Sequence, residues 1–378
     1  MASAVEMKND PLNRYSVILA GGLGQRLWPL SRGSKPKQLI PVVEGKSLLE
    51  AAFERVEGVV PLEQRWVCAG SMYEEAIRVK LPWLAHFIGE PEGRDTLAAV
   101  ALSCAHVYEV NHEAIVVFLT SDHVIRPVEV FKEALSEAFA LVESQPDVLV
   151  TFGVKPSFAS TGYGYLELGE RLGRAALRVK CFKEKPDRQT AENYLAQGPE
   201  MYLWNSGMFV WRASRLLELL ARYEPATAKS IASIQATIGT DEYPSTLAEV
   251  YPTIARKSVD YGIMEPASRA PEVQIACVPL DLEWIDVGSW NAYGTLGVPD
   301  GCSNTTMLAR EGTGDASAIF LDSRNTLAVS TDPSHLIACF GCEDMVIVHT
   351  EDVTLVCPKS KVEEIKALYA KAAEKGWG

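Results

Sequence analysis

Along the first half of the chain, short apolar runs alternate with longer stretches in which apolar residues recur every three or four positions. The runs at 17–20, 65–69, 85–89, 114–120 and 147–153 predict buried strands, and the stretches 47–57, 71–80, 96–110 and 128–144 predict helices between them. In the first helical stretch Leu48, Leu49, Ala52, Phe53 and Val56 fall on one face. Such alternation predicts an α/β domain with a mainly parallel sheet, whose ligands bind beyond the carboxyl ends of the strands. Beyond about residue 300 the texture changes: "DASAIFLDSRNTLAVS" and "HLIACFGCEDMVIVHTEDVTLVCP" read as short strands broken by turns, with helix only at 362–375. The pattern divides the chain into an α/β domain, 1–298, and a small all-β domain with a terminal helix, 299–378.

On the predicted ligand edge, the first strand runs into "LAGGLGQRLWPLSRGSKPKQL", residues 19 to 39. Gly21, Gly22 and Gly24 are followed by Arg26, Lys35 and Lys37, with prolines at 29 and 36. Bare backbone N–H groups in a glycine turn can approach anionic oxygens closely, and flanking cations suit several negative charges at once, as in a triphosphate. Neither common phosphate template fits: Leu27 stands where a dinucleotide fingerprint needs its third glycine, and no P-loop string is present. Asp122, after the apolar run "AIVVFLT", falls on the same edge, where a carboxylate needs a partner; its bland reading is a turn or capping residue.

Composition narrows the function classes. Among 378 residues, 47% are hydrophobic, enough for a substantial core, and 36 basic against 49 acidic residues give a net charge of −13. That charge argues against a general nucleic-acid binder while allowing a local cationic pocket. No apolar stretch approaches the roughly 18 residues of a membrane span, and the N-terminus has no apolar signal core, so a cytoplasmic protein without membrane partners is expected. The eight cysteines are scattered. Cys339-Phe-Gly-Cys342 is a lone C-x-x-C pair without a second pair of ligands at suitable spacing, so neither a disulfide framework nor a zinc site is expected.

The glycine loop resembles the opening signature of the sugar-1-phosphate nucleotidylyltransferases, and its Ser31 and Gln38 variant resembles the mannose-1-phosphate guanylyltransferase branch. Further motifs follow in that family's order: "EPEGRDT" (90–96), "SDHVI" (121–125), "TFGVKPSFASTGYGYLE" (151–167), "FKEKPD" (182–187), "WNSGMFVW" (204–211), "SVDYGIME" (258–265) and "WIDVGSW" (284–290). The resemblance implies a Rossmann-like mixed sheet of the nucleotide-diphospho-sugar transferase type. It also implies a C-terminal short left-handed β-helix that mediates homodimer contacts. Some relatives carry an appended isomerase domain; no dense His/Glu cluster after residue 300 suggests one here.

The resemblance also implies roles. Leu19, Ala20, Gly21, Gly22 and Gly24 would wrap a nucleoside triphosphate, with the loop of Gly93, Asp95 and Thr96 near the base. Arg26 would clamp the β- and γ-phosphates, and Lys37 would reach oxygens around the reacting centre. Asp122 and Asp286, 164 positions apart, would hold Mg²⁺. Gly164, Glu184 and Asn205 would meet the sugar, and Lys185 would bind its phosphate. The implied reaction joins GTP and mannose 1-phosphate into GDP-mannose and pyrophosphate. The loop reads G-R-D-T where that branch usually has G-R-N-T. Asp95 could accept from a guanine N1–H and N2–H₂ edge, shift nucleotide preference, or cap the helix that starts near Thr96. His123 reads as a packed or supporting residue, and Asp260 has no assigned role. Two alternatives stay open: a nucleotidyltransferase with another sugar or nucleotide, and a non-catalytic nucleotide-sugar-binding regulator.

Overall fold

The computed structural model describes residues 13–377 other than 23, 34, 44, 309, 312, 313 and 316. These form two compact units. One holds residues up to 21 with 52–121 and 125–284; the other holds 22–51, 122–124 and 285 onward.

In the first unit nine strands make one mixed sheet: β1 Arg14–Leu19, β2 Arg65–Gly70, β3 His86–Glu90, β4 Ile115–Thr120, β5 Leu149–Val154, β6 Tyr165–Arg171, β7 Leu177–Lys183, β8 Tyr202–Arg212 and β9 Ile275–Leu280. Their order is β3-β2-β1-β4-β8-β5-β9-β7-β6. The first four pair in parallel, while β8 enters antiparallel between β4 and β5. The strand β1 starts before its apolar run because Arg14 is drawn inside by Glu143, Nε to Oε1 2.7 Å. The helix α1, Asp95–Val110, buries every residue from Leu97 to Ala105, so it lacks a strongly polar face. The helix α2, Val128–Ser144, is amphipathic and buries Phe131, Leu135, Phe139 and Val142. Strand β8 is eleven residues long, and its register with β5 breaks between Asn205 and Phe209, where Gly207 has φ 71°. Asn205, paired with Gly153, is the last residue in register before that break.

In the second unit the C-terminal strands coil through two parallel ladders. Strands β10 Thr305–Leu308, β12 Leu327–Ser330 and β14 Met345–His349 form one, and β11 Ser317–Leu321 with β13 Leu336–Phe340 forms the other. A last strand, β15 Thr354–Pro358, runs antiparallel to β14. A 3-10 turn, Lys359–Glu364, then leads into the terminal helix Ile365–Ala373. The core of this unit is shared between distant segments: Leu27, Trp28 and Ile40 pack with Val287 and Trp290 and with Leu327, Val346 and Leu355. Trp290 Nε1 donates to the Trp28 carbonyl at 3.2 Å, and Arg32 forks onto both oxygens of Asp352 at 2.5 Å. The segment carrying the glycine loop is therefore fastened to the C-terminal coil. All eight cysteines are free thiols.

Candidate active site

In the second unit the loop is built around close approach. Gly24 has φ 60°, and a Cβ there would lie 2.5 Å from the Lys37 Cβ, so both backbone and space require glycine. Ser31 donates its hydroxyl to the Gly24 carbonyl, and the Lys37 ammonium forms an ion pair with Asp122. The Asp122 carbonyl accepts the Val287 N–H at 2.9 Å, which brings the chain around Asp286 alongside. Asp122, His123 and Asp286 each offer a ligand atom, all within 4.8 Å of one another. A Cβ on Gly288 would meet Asp286 Oδ1 at 3.3 Å and Arg26 Nη2 at 3.4 Å, so both groups lie against that glycine. Arg26 Nη1 meets Glu363 at 2.9 Å in a solvent-exposed pair.

The two carboxylates respond oppositely to this environment. Burial works against the Asp122 charge, but the Lys37 ammonium and His123 outweigh it and hold its pKa at about 2. For Asp286, burial and then the neighbouring Asp122 carboxylate push the pKa up, against His123, Lys37 and Arg26. The second carboxylate thus sits where burial and the first both disfavour its charge.

The first unit carries the remaining predicted residues. Asn205 is held at both ends of its amide: Thr151 Oγ1 donates to Oδ1 at 2.8 Å, and Nδ2 donates to Asp260 Oδ1 at 2.9 Å. The Asn205 N–H donates to the Gly164 carbonyl at 2.8 Å. A Cβ on Gly164 would come within 2.6 Å of Glu184 Oε2, so the glycine makes room for that carboxylate. Lys185, at φ 42°, sets its ammonium 3.1 Å from Glu184 Oε1. Desolvation would lower the Lys185 pKa, but the Glu184 carboxylate reverses it to a net rise. Glu184 itself is raised by burial, against the pull of Lys185. Burial, reinforced by Glu184, lifts Asp260 to about 7 despite Lys185 and the Asn205 amide. Glu184 and Lys185 line a cavity of about 770 Å³ that also holds Lys183, Arg256, Lys257 and Arg269.

Among the predicted nucleotide-binding residues of this unit, Ala20 N–H donates to Cys68 O at 2.8 Å, and a Cβ on Gly21 would sit 3.5 Å from Glu90 Oε2. Glu90 is buried and accepts the Tyr251 hydroxyl at 2.6 Å. Asp95 has φ 64°, a left-handed conformation that Asn and Asp adopt more readily than most residues. Its Oδ1 accepts the Thr96 N–H at 2.7 Å, and Thr96 Oγ1 accepts the Val259 N–H at 3.0 Å. Asp95 lines the same cavity as Lys185. A Cβ on Gly93 would meet nothing within 4 Å, so packing gives no reason for glycine there.

A family profile described as Nucleotidyl transferase matches residues 15–298, and one described as MannoseP isomerase/GMP-like beta-helix domain matches 316–371. The chain is 33% identical, over 93% of its length and 72% of the relative's, to a protein of Escherichia coli named mannose-1-phosphate guanylyltransferase. The chain belongs to the nucleotidyl transferases, in the mannose-1-phosphate guanylyltransferase branch. It is also 36% identical over 95% of its length to the Xanthan biosynthesis protein XanB of Xanthomonas campestris pv. campestris, covering 73% of that protein. A crystal structure titled mannose-1-phosphate geranyltransferase, from Thermus thermophilus, superposes with a TM-score of 0.82 at 30% identity, covering 96% of this chain and 99% of that one. The α/β sheet and the β-helix-like C-terminal region agree with the expected fold.

Nucleotidyl transferases work with a divalent metal, and the donor set here fits one. Two carboxylates crowd together, the pKa of one raised by burial and then by the other, an arrangement that an added cation relieves. Thr151 and Glu90 of this nucleotidyl transferase have no place in the sequence-based expectations, and His123 and Asp260 have no defined role there. Thr151 and Asp260 fix the Asn205 amide, Glu90 lies next to Gly21, and His123 shares the carboxylate cluster. Each stands inside a motif already singled out, so the signal available was a polar residue within a recognised block. No helix among the described residues is long and apolar enough to cross a membrane.

Proposed function

We propose that this enzyme makes GDP-mannose and pyrophosphate from GTP and α-D-mannose 1-phosphate, with Mg²⁺. The observation that carries this reading is the grouping of Lys37, Asp122 and Asp286 beside a glycine loop, in a chain similar to proteins named mannose-1-phosphate guanylyltransferase. A phosphate oxygen of the sugar phosphate attacks the α-phosphorus, the bond to the β-phosphate oxygen breaks in line, and pyrophosphate leaves. Such transfer asks mainly for alignment and charge neutralisation. Lys37 stands at the reacting phosphate, and Arg26 exchanges its exposed Glu363 partner for triphosphate oxygens. Asp122 and Asp286 would hold Mg²⁺, a hard cation that prefers carboxylate and phosphate oxygens and would neutralise phosphate charge. Lys185 binds the sugar phosphate, and Glu184 and Asn205 hydrogen-bond mannose hydroxyls over the bare backbone of Gly164. Leu19 to Gly22 and Gly24 wrap the nucleotide, with Gly93, Asp95 and Thr96 on its base side.

The homodimer belongs to the same proposal. Ile319, Leu321, Leu336 and Phe340 are 57%, 58%, 48% and 73% exposed. They lie on one face of the β11–β13 ladder, where Leu321 stands opposite Phe340. A second copy of this apolar face is the occupant that the proposed dimer supplies. The cytoplasm, where these substrates are expected, is the proposed location.

A panel of nucleoside triphosphates against sugar 1-phosphates, read by pyrophosphate release, tests the substrates. GTP with mannose 1-phosphate should give the highest kcat/KM. Turnover of another pair in preference to this one would overturn the substrate assignment while keeping the enzyme class.

A further inference from the structure

Away from the residues assigned to nucleotidyl transfer, the C-terminal coil gathers a second group with metal-binding chemistry. Asp332, His335 and His349 each offer a ligand atom, and all three lie within 4.8 Å of one another. All are half-buried, so they are neither locked in the core nor free on the surface. The backbone sets them there. Ser330 and His349 are register partners at the ends of the parallel strands β12 and β14. The turn that leaves β12 then folds over the end of β14: Thr331 N–H donates to the His349 carbonyl at 3.0 Å, and His335 N–H donates to the Asp332 carbonyl at 3.3 Å. His335 is also tied to the second ladder, its carbonyl accepting the Ser317 N–H at 3.3 Å.

The side chains have outer partners of the kind that orient metal ligands. Ser334 donates both its N–H and its hydroxyl to Asp332 Oδ1, at 2.8 and 2.7 Å. Thr354 Oγ1 stands 3.0 Å from His349 Nδ1. The two imidazoles stack, with centroids 3.6 Å apart and planes 14° from parallel.

We infer that Asp332, His335 and His349 form a transition-metal site on the C-terminal coil, taking Zn²⁺ or a cation of similar preference such as Co²⁺ or Ni²⁺. Two imidazoles and one carboxylate suit these ions rather than Mg²⁺, which prefers an all-oxygen shell. Three protein ligands leave a fourth position for water or a further donor. Stacked rings cannot both aim an in-plane lone pair at one ion, so binding turns His335 out of the stack about χ2 while His349 keeps its Thr354 partner. The ion would staple the turn at 331–335 to the end of β14. Because it binds the folded chain, it should raise the melting temperature in a concentration-dependent way.

The test uses the full chain stripped of metal and titrated with Co²⁺, followed by visible d–d absorption, with Zn²⁺ competing. The expected result is one site with the intense bands of a four- or five-coordinate ion. It should be retained in Asp286→Asn and lost in both His335→Gln and His349→Gln. Thr354→Val should weaken Co²⁺ binding about tenfold or more, as loss of an outer partner does. Circular dichroism of the metal-free variants guards against misfolding, and unchanged turnover of the two His variants separates this ion from the catalytic one. If both His variants bind Co²⁺ with wild-type stoichiometry and spectrum, the assignment is wrong. It is equally wrong if Asp286→Asn alone removes all Co²⁺ binding.

Discussion

The two clusters of candidate active-site residues treat negative charge differently. Around Asp122 a lysine and a histidine hold one carboxylate firmly ionised while a second, Asp286, is crowded against it. Around Asn205 both acids are raised, with Asp260 at about 7 and Glu184 above its usual range, and Lys185 answers them. The first arrangement sets two carboxylates and an imidazole side by side and suits a cation. The second is poised near neutrality, with a cavity rich in lysine and arginine, and suits an incoming phosphate and neutral hydroxyls. The difference teaches that a buried carboxylate is no single kind of site: its partners decide whether it recruits metal or holds a hydrogen-bonding frame.

The largest expected effects break the first arrangement. Asp122→Ala or Asp286→Ala should lower turnover about a hundredfold or more, the scale of losing one preorganised electrostatic contact in a transition state. Asp286→Asn should at the same time melt no lower than wild type, because it removes one of two like charges from a buried pair. Unchanged turnover in Asp286→Ala would take that residue out of the site.

Next comes the division between the two cations. Lys185→Ala should raise KM for mannose 1-phosphate about tenfold or more, the scale of one charge-assisted phosphate contact, with less effect on GTP. Arg26→Ala should do the reverse and also lower kcat, since charge on the leaving pyrophosphate grows in the transition state. Equal effects of both variants on GTP alone would erase the proposed distinction.

A smaller effect sharpens the second arrangement. Asp260 holds its proton to about pH 7 when folded, against an ordinary value of 3.8, so between those values the native state carries a proton that the unfolded chain has released. Its contribution therefore makes stability fall as pH rises through that window and level off above it. Asp260→Asn, which keeps an acceptor for the Asn205 amide, should abolish that slope. It should gain on wild type by about 1 kcal/mol or more at about pH 8 and by nothing at about pH 3. Denaturant melts at the two pH values read this directly. Asp122 has the opposite sign: its contribution is present above its unfolded value and is lost as pH falls towards 2.

The smallest effect concerns Glu363. Its pair with Arg26 is exposed, and such pairs are worth about 0–1 kcal/mol, so Glu363→Gln should lower KM for GTP by no more than about fivefold. A large loss of activity would mean that Glu363 positions Arg26 instead of competing for it.

Much of this was legible in the sequence where the signal is local. The strands β1 to β5 and the helices between them follow from apolar runs and helical spacing, and the change of texture after residue 300 marks the coiled strands. The residues of both clusters were named because they stand in motifs, not because periodicity places them. What pattern could not supply is pairing at long range. Leu27 and Trp28 look like ordinary loop residues until they meet Trp290, Leu327 and Val346, and Arg32 gives no hint of Asp352. The bond from Asp122 O to Val287 N–H gathers two carboxylates that the sequence could only list. Asp260 had a motif but no role, since its role is to hold another side chain, and such a contact has no one-dimensional signature.

The most direct test of the account is the Mg²⁺ activation curve, measured at saturating GTP and mannose 1-phosphate for wild type, Asp286→Asn and Asp260→Asn. Asp286→Asn should shift half-maximal activation to at least about tenfold higher Mg²⁺, the scale of a lost charged contact. Asp260→Asn, which keeps the Asn205 hydrogen bond, should leave that midpoint in place. A curve unmoved by Asp286→Asn, or moved equally by both substitutions, would contradict it.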